Sequence, residues 1–115
     1  MGSFLQVAGQ WQIVQTNSFR VTVIVDQDED RLSAFASHSN GTVTSTEATG
    51  FVQGGHFDLT IVWNNGTKGR YTADLTPFIG QDLSVPGFLK GNTQDLNHTD
   101  STAGWFSEGR SFQVA

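Results

Sequence analysis

His56-Phe57-Asp58-Leu59-Thr60-Ile61-Val62-Trp63-Asn64-Asn65-Gly66-Thr67-Lys68-Gly69-Arg70-Tyr71-Thr72-Ala73-Asp74-Leu75 is the stretch whose reading decides the fold. Phe57, Leu59, Ile61 and Trp63 recur at every second position, with His56, Asp58, Thr60 and Asn64 between or beside them, the period of a strand with one apolar face. Asn-Asn-Gly-Thr-Lys-Gly then breaks the pattern with residues that accept positive φ. Tyr71, Ala73 and Leu75 resume it. The stretch predicts a β-hairpin at the centre of a sheet.

Around it, 115 residues allow one domain, 1–115, with a single core. Thirteen Gly, two Pro, nine Phe and three Trp, with abundant Thr, Val, Ser and Asn, favour strands joined by tight turns. No window shows a helical stripe. A net charge of -5 and six Lys and Arg residues argue against a groove that tracks phosphates, so nucleic acid is not an expected partner. The absence of cysteine excludes a disulfide framework and thiolate metal sites, and leaves both a secreted and a cytoplasmic soluble protein open. No apolar run reaches membrane-spanning length, so no membrane insertion is expected, and the amino end lacks the basic-then-hydrophobic order of a signal. Asn40-Gly41-Thr42, Asn65-Gly66-Thr67 and Asn97-His98-Thr99 fit the glycosylation acceptor pattern. Asn-Gly pairs are turn formers first.

Upstream of the hairpin, Gly9-Gln10-Trp11-Gln12-Ile13 opens the first strand, with Trp11 placed to plug one end of the core. After a turn at Asn17-Ser18, Phe19, Val21, Val23 and Val25 alternate with polar or outward positions in the most regular strand. Asp26-Gln27-Asp28-Glu29-Asp30 reads as an acidic turn. It imitates the start of a calcium loop, but Arg31 and Ser37 stand where that loop needs Gly and Glu. Leu32 to Ser37 is a third strand, His38-Ser39-Asn40-Gly41 a turn, and Thr42 to Thr46 part of a fourth. Gly50 to Gly55 either completes that strand or begins another.

Downstream, Thr76 to Gly87 reads as the longest irregular stretch and holds both prolines. Phe88 to Asp95 returns to strand, Asn97 to Thr102 reads as a polar loop, and Ala103 to Ala115 closes the sheet. The count is eight or nine short strands with connections short enough for hairpins, the pattern of an all-β sandwich or barrel. Consecutive hairpins favour a single eight-stranded antiparallel up-and-down barrel, which has no free edge and room for packed side chains or one small ligand.

With the strands in this order the chain resembles the avidin and streptavidin family. Gly9-Gln10-Trp11 sits like that family's opening Gly-x-Trp, and Thr60-Ile61-Val62-Trp63 looks like the strand that ends in a ligand-facing tryptophan. Asn92-Thr93-Gln94 and Ala103-Gly104-Trp105-Phe106-Ser107, closing at Phe112, look like its last two strands. The resemblance implies an eight-stranded barrel that holds biotin and assembles as a homo-oligomer, a dimer or tetramer. It places Asn17 as the polar residue after the first strand and Trp63 as one aromatic wall. Asp95 falls where another tryptophan is expected, and the hairpin after Trp63 is shorter than the family's, which implies an altered pocket.

Catalytic templates are missing: there is no Gly-x-Ser-x-Gly, Gly-x-x-x-x-Gly-Lys, Gly-x-Gly-x-x-Gly or His-Glu-x-x-His. No catalytic residue, metal ligand or cofactor is therefore assigned, and the chain is not expected to be an enzyme. Asp58, Asp74, Asp95 and Glu108 are expected in surface or hydrogen-bonding roles, and His38, His56 and His98 lie near strand ends rather than at metal-ligand spacing. The remaining set suits a polar guest: Trp63, Tyr71 and Trp105 as flat apolar surfaces, with Asn17, Ser37, Asn64, Thr93 and Asp95 as donors and acceptors. Sugars offer apolar C–H faces and a ring of hydroxyls to such a combination. The expected function is a lectin-like barrel that binds a glycan or other small polar ligand. A biotin binder with an altered pocket is the second reading, and a secreted protein-binding barrel such as a protease inhibitor, acting through the Thr76 to Gly87 loop or a terminus, is the third.

Overall fold

The computed structural model describes residues 4–78, 80 and 86–114. Its strands are β1 (Gly9–Gln15), β2 (Arg20–Asp28), β3 (Arg31–His38), β4 (Val43–Gln53), β5 (His56–Trp63), β6 (Lys68–Pro77), β7 (Gly87–Asp95) and β8 (His98–Glu108). Each pairs antiparallel with the next, and β8 returns to β1 through Gln12↔Glu108 and Gln15↔Trp105, so the sheet closes into an eight-stranded up-and-down barrel. Closure pairs β1 with β8 along part of their length, so neither end strand is left as a free edge throughout.

In the decisive hairpin β5 and β6 pair from His56↔Asp74 to Val62↔Lys68. Phe57, Leu59, Ile61, Trp63, Tyr71, Ala73 and Leu75 are all buried, as the alternation requires. Asp58 is also buried, although it faces outward. The half-exposed guanidinium of Arg70 lies across it, donating from Nη2 at 2.5 Å and from Nε at 3.2 Å. Residues 43–53 form one continuous strand. A bulge between Ser45 and Glu47 keeps Ala48 and Val52 on the inner face.

The acidic turn is tighter than its composition suggests. Asp26, Gln27 and Asp28 pair with Ser33, Leu32 and Arg31, leaving Glu29-Asp30 as the connection, with Glu29 at φ 55°. Gln27 explains the extension, because its amide accepts the N–H of Val7 and donates to the carbonyl of Leu5, both at 2.8 Å. The expected polar loop at Asn97 to Thr102 is likewise corrected: β8 begins at His98, and Gln94 pairs with Thr102. His98 to Thr102 are exposed and rise above the packed interior, so their strand needs no apolar alternation. Thr76 and Pro77, expected in the irregular stretch, end β6 opposite Phe88 and Gly87. Positions 79 and 81–85 of that stretch lie outside the described residues, as do residues 1–3 and 115. β8 stops at Glu108, where Gly109 takes φ 104°, and Phe112 and Val114 return only as isolated bridges to Gly87 and Leu5.

Those bridges seal one end of the barrel. Leu5, Val7 and Phe112 are fully or almost fully buried there, and the indole N–H of Trp11 donates to the Val7 carbonyl at 2.9 Å. Trp11 stacks on Trp105 at 6.4 Å between centroids and meets Phe57 and Phe112 edge-on at 5.7 and 5.0 Å. Each such aliphatic or phenyl side chain taken from water contributes about 1.5–3 kcal/mol before entropy. The solid part of the interior is therefore its sealed half.

Candidate functional site

The opposite end is open. There the ends of β1, β3, β5 and β7 and the starts of β2, β6 and β8 surround a cavity of about 350 Å³. A volume near 300 Å³ or above is the usual lower range for a small-molecule site.

Three rings make one wall. Phe19, just before β2, keeps the inward parity of Val21 and Val23, and His38, at the end of β3, keeps that of Ala36. The imidazole stands edge-on between the two other rings, 4.7 Å from Phe19 and 4.7 Å from Trp63, and its Nδ1 contacts the Ser39 hydroxyl at 2.9 Å. Burial in this sandwich pushes the His38 imidazole below its ordinary value. Trp63 is only 6% exposed.

The floor is polar. The Tyr71 hydroxyl donates to Gln15 Oε1 at 3.3 Å, a long contact for an O–H donor, and Thr93 hydrogen-bonds to the same phenol. Burial is the main cause that pushes the phenol up to about 12, opposed by the Thr93 hydrogen bond and reinforced by the Asp95 charge. Tyr71 therefore stays a neutral donor through the physiological range. Gly69 lies over it, since a Cβ there would have the Tyr71 ring and hydroxyl as its nearest neighbours, from 3.4 Å.

Turns supply the rim. Asn17 Oδ1 accepts the Phe19 N–H at 3.2 Å, and Asn65 Oδ1 accepts the Thr67 N–H at 3.1 Å. Asp95 Oδ1 accepts the Asn97 N–H at 2.8 Å, and its other oxygen lies 3.5 Å from His98 Nδ1. The Asn97 N–H is the largest of the influences that hold the Asp95 carboxyl below its usual range, with His98 adding to it.

Of the side chains expected to bind a ligand, Asn17, Trp63, Tyr71, Thr93 and Asp95 come together around this cavity. Trp105, Ser37 and Asn64 do not line it. Trp105 sits one layer deeper, stacked on Trp11, with its indole N–H donating to the Asn92 carbonyl at 3.0 Å. Ser37 pairs with Thr22 and Thr44 and shares the outward parity of Phe35. Asn64 is exposed and donates to the Thr44 hydroxyl at 3.2 Å. Sequence reasoning missed Phe19, His38 and Gln15 as lining residues. Their signal was inward parity carried one step past the apolar run, a step that turn residues obscure.

Among the described residues no three His, Asp or Glu side chains gather as a metal site. The arrangement can hold a small guest between rings and hydrogen-bonding groups. No protein-family model matches the chain, and no curated protein matches its sequence.

Proposed function

We propose that this protein is a non-catalytic binding barrel, lectin-like on an avidin-like frame. It takes a glycan end or another small polar ligand at its open mouth and works as a homo-oligomer. The observation that carries the reading is the contrast between the two ends: one sealed by Leu5, Val7, Trp11 and Phe112, the other a cavity of about 350 Å³ between an aromatic wall and turn-borne carboxamides. A guest descending from the mouth stops at Tyr71, because Trp105 lies beneath it, 6.1 Å away between centroids. The site is therefore shallow. Shallow sugar sites bind in the millimolar to micromolar range, and repeated copies raise useful strength by avidity.

The test is a glycan array followed by tryptophan fluorescence titration with the captured sugar and with biotin. Saturable binding competed by free sugar is the expected outcome, and a blank array at high protein concentration would count against the reading. Biotin capture in place of sugar capture would move the assignment to the altered biotin site. Trp63→Ala should abolish the titration while the barrel still melts cooperatively, at a cost of roughly 3–5 kcal/mol for the lost ring.

A further inference from the structure

Donors and acceptors are unevenly placed around the mouth. Asn17 and Asn65 each receive a backbone N–H on the side-chain oxygen, from Phe19 at 3.2 Å and Thr67 at 3.1 Å. Only the oxygen of a carboxamide can accept such a bond, so both amides are oriented and their NH2 groups are what remains for a guest. At the floor, Thr93 hydrogen-bonds to the phenol and the Tyr71 hydroxyl donates to Gln15 Oε1, which again leaves an NH2. Among the described residues none of these three NH2 groups meets an acceptor, nor does the indole N–H of Trp63, and Lys68 forms no ion pair. These donors come from the β1 end, the β1–β2 turn, the β5 end and the turn into β6. Facing them, β7 offers one acceptor, the Asp95 carboxylate, while Gln94, paired with the outward Arg70, turns to the outer face and donates to the Thr99 carbonyl at 2.8 Å.

We infer that the ligand of this mouth is a sugar acid, its carboxylate set against the donor side and its hydroxyls turned toward Asp95. The inference rests on the binding role proposed above and names its ligand class. Hydrogen bonds to an ionised acceptor are about twice as strong as neutral ones, and a guest that leaves these donors unmatched forfeits their desolvation. The protein's charge of -5 opposes an anion at long range. That field is screened over about 8 Å at physiological salt, so the local donors decide.

Calorimetric titration with D-glucuronate, its uncharged methyl ester and D-glucose at matched ionic strength tests it. Glucuronate should bind at least tenfold more tightly than either neutral probe. Asn17→Asp and Asn65→Asp keep the oxygen that each turn needs while replacing the NH2 with a charged oxygen. The double variant should therefore lose the tenfold preference, with its melting temperature unchanged within a few degrees. Equal binding of the ester or glucose, or a preference that survives in the double variant, overturns the inference. Capture of neutral glycans without sugar acids also overturns it and leaves the binding role standing. Silence toward every probe and a blank array remove both.

Discussion

Tyr71 is the single tyrosine of the chain, so its ionisation can be followed alone. Its phenol, raised from 10.0 to about 12 chiefly by burial, should show only about a tenth of its phenolate absorbance at pH 11 until the protein unfolds. Because the folded value lies above the unfolded one, the associated stability is complete below pH 10 and is lost as pH rises toward 12. The two-unit span corresponds to roughly 3 kcal/mol, and Tyr71→Phe should remove this alkaline slope. His38 behaves oppositely in pH. Its imidazole is depressed below 6.5 by burial, so stability is complete above that value and falls as acid drives the ring to charge. Thermal melts between pH 7 and 5 should show the decline, and His38→Phe should flatten it. Trp63 and Tyr71 were legible in the sequence because two-residue alternation puts them on the inner face. That same alternation does not give depth. Trp105 has inward parity too, but its pairing with Gly91 sets it one layer below Thr93 and Ala103 and makes it core.

The elements owe their boundaries to turn chemistry and close approach. At Gly91 a Cβ would fall 1.9 Å from the Thr72 carbonyl oxygen, so β6 and β7 can pair there only if position 91 carries no side chain. Gly91→Ala should cost about 1–3 kcal/mol in a denaturant titration, with the denaturant slope unchanged. On the outer face of the β5–β6 hairpin, Arg70→Ala would remove the guanidinium that lies across the Asp58 carboxylate, which is 6% exposed with Arg70 in place. The Arg70 end is half in water, which reduces the effect to about 1–3 kcal/mol. The Asp58→Asn/Arg70→Ala double variant should recover part of that loss, measured by the same unfolding curve. The hairpin itself was readable from Phe57 to Leu75, since alternation and an Asn-Gly turn are local properties. The extension of β2 to Asp28 was not, because it depends on Gln27 reaching Val7 and Leu5, about twenty positions earlier in the chain.

For the whole molecule, closure makes the eight strands one cooperative unit, since β1 completes its hydrogen bonds only when β8 has arrived. Sedimentation should report a multiple of the 12.5 kDa chain if the proposed assembly of two or four copies is right, and a monomer at micromolar concentration would count against it. The order of strands, the up-and-down connectivity and the inner face were written in the sequence, because period-two alternation and turn residues act between neighbours. Which end of the cylinder is sealed and which is hollow was decided only in three dimensions. The terminal segments around Leu5 and Phe112 fold over one mouth, and β-register sets the depth of every inward ring. Such contacts join residues more than a hundred positions apart, and no local pattern encodes which of two chemically similar ends they will cover.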